Sequence, residues 1–139
     1  NALKKVKRTT GLHGRWDVIH HHPEVVLDVA HNEAGIRQVL QHIELSAPNH
    51  LHIIIGLVKD KEVDKVLMLL PEYAQYYFTH AHIPRALDAS ILKEQAQNFR
   101  LQGEVYDDVN LALKAALAAA KKEDLILVCG SVFVVGEVN

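Results

Sequence analysis

The sequence of 139 residues contains one cysteine, Cys129, so no internal disulfide can form. That fits a reducing compartment. It also lacks any apolar run long enough to span a membrane, and any signal- or transit-peptide pattern, so a cytoplasmic location is expected. There is no excess of charge. Fifteen Lys and Arg against 17 Asp and Glu give a net charge of -2, which makes no case for a nucleic-acid or membrane partner. Three chemical signatures are also missing. No G-x-x-x-x-G-K-[ST] loop is present, so the chain has no cradle for β- and γ-phosphates. No G-x-G-x-x-G follows the first strand, which argues against a dinucleotide fold. No G-x-S-x-G elbow offers a nucleophilic serine. Internal repeats and low-complexity segments are absent as well.

What remains is an ordinary globular composition, 49% hydrophobic and 23% charged, in a length that suits one domain. Ten histidines add positive charge below about pH 6.5. Apolar runs and helical periodicities alternate along the chain. Strands are expected at 16–20, 24–30, 51–57, 75–80, 104–106 and 125–129. Helices are expected at 33–45, 62–70, 89–98 and from Asp107 and Asp108 to about Lys122. In that last helix, acids in the first turn and lysines in the last would match the helix dipole. Residues 132–138 suit a helix capped by Ser131 or a further strand. Alternation of this kind means βαβ units and a largely parallel sheet. Residues 1–10, polar and basic, read as a linker from a preceding domain or as a frayed terminus.

The chemistry is expected around residues 25–35. Val25, Val26, Leu27 and Val29 are apolar on both faces, as in a parallel strand covered by helices on each side. Asp28 near its end is costly to bury unless something binds it. His31 and Asn32 follow, and Asn32 can cap the next helix. Ligands in open α/β sheets sit beyond the carboxyl ends of the strands. Other polar groups fall at such ends: Lys59, Asp60 and Lys61; Thr79, His80 and His82; Asp107 and Asp108; Ser131. Asp28 can accept from two ribose hydroxyls, or it is a buried carboxylate held by backbone donors. Arg15 suits a phosphate, or is a solvated surface arginine. His31 suits phosphate or a substrate carboxylate. Lys59 and Lys61 suit a carboxylate or a developing acyl-phosphate charge, or form a solvated run. Ser131 can donate to a carboxylate or cap a helix. His20, His21 and His22 alternate between faces, so they make a poor metal site and a plausible solvated turn. No metal ligand set is expected in this chain. Cys129 reads as core.

The run Asp28-Val29-Ala30-His31-Asn32 resembles the D-G-A-H-N-P pattern that opens the C-terminal domain of the folylpolyglutamate synthase/dihydrofolate synthase family of Mur-type ligases. Val29 replaces the glycine and Glu33 the proline. Gly14-Arg15, Lys59-Asp60-Lys61, Pro84-Arg85-Ala86-Leu87, Gly130-Ser131 and Val135-Gly136-Glu137-Val138 agree in order, over nearly the whole chain. The resemblance implies a Rossmann-like three-layer α/β domain at 11–139, with about six strands, mostly parallel, and one antiparallel edge. It implies a parent enzyme that phosphorylates a folate or dihydropteroate carboxylate with ATP and Mg2+, then lets the amine of L-glutamate attack the acyl phosphate. The phosphate loop and magnesium ligands would lie in a preceding central ATPase domain. Arg15 and Asp28 would hold ATP from the opposite side. His31, Asn32, the loop 59–61 and Ser131 would face glutamate and phosphate. The chain alone would then be inactive. The same domain of a cell-wall precursor ligase is an alternative, though the H-N pair and the final V-G-E-V favour the folate branch. A receiver-type interaction module is another, but its acidic pair and acceptor aspartate are missing from the required places.

Overall fold

A computed structural model describes residues 14–139. The expected linker at 1–10, and Gly11 to His13 of the turn after it, lie outside the described residues. Six strands form one sheet: β1 (Asp17–His20), β2 (Glu24–Leu27), β3 (Leu51–Ile55), β4 (Gln75–Phe78), β5 (Gly103–Val105) and β6 (Leu125–Cys129). Their order is β1-β2-β6-β3-β4-β5. β1 runs antiparallel to β2, and the other neighbours are parallel. Five helices connect or follow them: α1 (Glu33–Ser46), α2 (Val63–Leu69), α3 (Ala89–Gln97), α4 (Val109–Ala119) and α5 (Val132–Gly136). This is the expected three-layer α/β architecture with one antiparallel edge.

Strand alternation sorts the core into two halves. On β6, Leu125, Leu127 and Cys129 face α1, α2 and α3, where Ile36, Val39, Val66, Leu67 and Leu92 are buried. Ile126 and Val128 face α4 and α5, with Leu113, Val134 and Val135. Every residue of β3 and β6 is buried. That explains the unbroken apolar run of β6 and, apart from His52, the apolar residues of β3: each apolar side chain removed from water contributes about 1.5–3 kcal/mol, on whichever face it lies.

The strands are shorter than the apolar runs suggest. The run at 24–30 pairs only as far as Leu27, and that at 51–57 only as far as Ile55. Ala30 and Leu57 are buried in the turns beyond, so hydrophobicity outlasts the ladder. Trp16, expected in the first strand, instead has φ 46 and precedes it. α4 also departs from expectation. Asp108 is its cap, accepting from the Leu111 N–H at 2.9 Å, and no acid lies in the first turn. The backbone turns extended at Ala120, which leaves Lys121 and Lys122 outside the helix. The last segment is a helix. Ser131 caps it by accepting from the Val134 N–H at 3.0 Å.

Candidate functional site

β6 feeds α5 on one face of the sheet, while its neighbours β2 and β3 feed α1 and α2 on the other. Where adjacent strands send the chain to opposite faces, a crevice opens beyond their carboxyl ends. The turns around it are tied together by main-chain bonds. The Asp28 N–H donates to the Val128 carbonyl, the Gly130 N–H to Ala30 and the Gly56 N–H to Cys129. Gly130 permits this closeness. Its φ is +116, and a Cβ there would lie 2.1 Å from the Gly56 oxygen.

A groove of about 880 Å³ opens here, lined by Arg15, Trp16, Asp28, His31, Gln38 and His42 among others. Asp28 is buried just past β2. One carboxylate oxygen accepts from the Ala30 N–H at 2.9 Å, the other from the Trp16 N–H at 3.1 Å. Burial raises the Asp28 pKa above its ordinary value; the two N–H groups and the nearby Arg15 charge pull the other way. Arg15 is exposed, and its guanidinium donates to the Gln38 amide oxygen. His31 is exposed beside the Val29 carbonyl, 3.1 Å from Nδ1. With the proton on Nδ1, Nε2 is left as an acceptor. Asn32 accepts from the Gly35 N–H at 2.9 Å and caps α1.

His31 also lines a second, smaller recess with Asp60, Val58 and Gly130. The loops after β2, β3 and β6 therefore meet at one point. Lys59 and Lys61 are exposed on the rim. Asp60 accepts from the Glu62 N–H at 2.7 Å. The Lys59 N–H donates to the Arg85 carbonyl, and Val58 bridges to Ala86, so the loop carrying the lysines is locked to the Pro84–Leu87 turn. Ser131 is buried and capping α5, so its oxygen is engaged by the helix. Glu137 clamps the loop after β4, accepting from the His82 N–H at 2.7 Å and lying 3.0 Å from Nδ1 of that ring.

Other candidates fall outside the groove. Thr79 is buried and donates to the Tyr106 carbonyl, and His80 accepts from the Ala89 N–H. His20 faces the Pro23 carbonyl in the turn at the opposite end of β1. Among the described residues, no three His, Cys, Asp or Glu side chains gather to hold a metal ion. No helix among them is long and apolar enough to cross a membrane. Sequence reasoning missed Gln38 and His42. They lie one turn apart on α1, and only α1's exposed stripe, aligned with the turn at Asn32, marks them.

A fold of this kind with a carboxylate, an arginine and a histidine at the switch point defines a class. Residues 14–132 match the model of the Mur ligase, glutamate ligase domain. The chain belongs to that family. It is 34% identical over 98% of its length to a probable bifunctional folylpolyglutamate synthase/dihydropteroate synthase of Haloferax volcanii, covering 16% of that protein. It is 31% identical over 99% of its length to the dihydrofolate synthase/folylpolyglutamate synthase of Escherichia coli, covering 32%. The chain thus spans between a sixth and a third of these relatives. The crystal structure of a bifunctional folylpolyglutamate synthase/dihydrofolate synthase from Yersinia pestis, complexed with AMPPNP and Mn ion, superposes with a TM-score of 0.81. That match has 27% identity over 91% of this chain and 30% of the other.

Proposed function

We propose that this chain, over residues 11–139, is the C-terminal domain of a cytoplasmic ATP-dependent ligase that joins L-glutamate to a folate or to dihydropteroate. The observation that carries the reading is the meeting of Arg15, Asp28 and His31 in one groove beside the 59–61 loop. The named relatives and the AMPPNP-bound structure support it. In this reading Asp28 accepts from ribose hydroxyls through the lone pairs its two backbone donors leave free. Arg15 releases Gln38 to meet a phosphate. His31, Asn32 and the lysines at 59 and 61 face the phosphate and glutamate side, and Ser131 holds the turn that shapes it. Mg2+ and the phosphate loop belong to a central ATPase domain, the partner on which this domain closes to exclude water.

A chimaera tests this. The chain replaces the matching third of the E. coli enzyme. ADP release that requires both glutamate and a pteroate acceptor is the expected result. Release that requires a cell-wall precursor instead, or none with either acceptor in a folded chimaera, overturns the reading. The chain alone should neither hydrolyse ATP nor ligate glutamate. A few hydrogen bonds of about 0.5–1.5 kcal/mol each barely exceed the ~4 kcal/mol or more that association costs, so its ATP dissociation constant should be ~1 mM or weaker.

A further inference from the structure

We propose that Trp16 is the floor on which a purine base stacks in this groove, and that His42 is its displaceable cover. The proposal rests on the nucleotide reading above and adds the residues that recognise the base. The Trp16 and His42 rings lie 3.7 Å apart, centroid to centroid, at 7° to one another. That is the plane-to-plane arrangement a flat heterocycle adopts on an indole.

The two rings are held very differently. The Trp16 ring is half-buried and packed against the core, and the residue's backbone N–H donates to the Asp28 carboxylate at 3.1 Å, which ties its main chain beside that group. The indole is therefore fixed relative to the group read as the ribose ligand, which stands one glycosidic bond away from any base. His42 is exposed on α1, and among the described residues its recorded partner is the Trp16 ring. It can leave that face without breaking a hydrogen bond. An imidazole is smaller than a purine, so the surface it covers extends beyond it. Gln38, one turn earlier, has its amide oxygen engaged by Arg15 and keeps two N–H donors for the edge of a base.

The sequence has one tryptophan, so the protein gives one indole N–H signal. The 15N-labelled chain is titrated with ADP, with ribose 5-phosphate and with folic acid. ADP should move the indole signal and the Trp16 and Ala30 amides together, and saturation should pass to the adenine H2 and H8 more strongly than to the ribose. Ribose 5-phosphate should move the amides and leave the indole still. W16L should weaken ADP about tenfold, and H42A should tighten it about threefold, with ribose 5-phosphate unchanged in both. W16F, which keeps a flat ring, serves if W16L does not fold, and should weaken ADP less than tenfold. If ADP moves the amides but not the indole, or if H42A weakens ADP, the platform is overturned while the nucleotide reading stands. If folic acid alone moves the indole, the platform takes a pterin and the proposal is wrong. If neither ADP nor ribose 5-phosphate moves any signal at concentrations about tenfold above the ~1 mM dissociation constant expected here, both readings fall.

Discussion

Asp28 gives each carboxylate oxygen one backbone donor and still keeps lone pairs for a ligand. Its raised pKa means that it takes up a proton at a higher pH than the ordinary 3.8. A protonated carboxyl is a poorer acceptor. Nucleotide affinity, measured by titration at a series of pH values, should therefore fall on acidification before an ordinary aspartate would protonate. Stability responds in the opposite sense at this residue: the folded state holds the proton more tightly, so acidification through that range favours the fold. Asp124 behaves otherwise. Burial raises its pKa, but the Lys121 N–H and His52 outweigh this and leave it lowered, so its contribution is present above 3.8 and lost below. It forms a buried chain with His52 Nε2 at 3.0 Å, while His52 Nδ1 lies 2.9 Å from the Tyr77 hydroxyl. H52A leaves two buried polar groups short of a partner. It should cost about 2–4 kcal/mol by denaturant unfolding. Asp28 was legible in sequence because a carboxylate ending an apolar run must be held by something. The His52–Asp124 pair and the Trp16–His42 stack were not, because they join residues 72 and 26 positions apart, and no local pattern encodes such a contact.

The elements were legible where side-chain periodicity and caps agree. α1, with Asn32 at one end and Pro48 just past the other, begins and ends within a residue of expectation. The strand ends were not legible, since turns such as Ala30 and Leu57 are as buried as the strands. α5 was ambiguous because Val and Phe suit either state. β6 already has β2 and β3 on its two sides, and the turn at Gly130 leads the chain off the sheet. That turn is the most demanding in the site. An alanine at Gly130 meets the Gly56 carbonyl and a left-handed backbone together, so G130A should lose about 3 kcal/mol or more of stability, read from the denaturant midpoint.

At the scale of the molecule, the class of fold followed from alternation alone, whereas strand order did not. Order depends on which distant runs pair, and β6 has the same apolar character as β3. The order has a consequence for how the chain is made. The last strand in sequence sits at the centre of the sheet, between β2 and β3. During synthesis the first five strands leave the ribosome as two separate pieces, a β1–β2 hairpin and a β3–β4–β5 unit, with no ladder joining them. Only when residues 125–129 emerge can the two halves close on a common partner. Folding of this domain should then wait for residues 125–129 and be all-or-none, as expected where non-local pairing dominates. A chain truncated after Glu123 should show no cooperative thermal transition by circular dichroism. A sharp transition in that truncated chain would mean that one half is stable without its central strand.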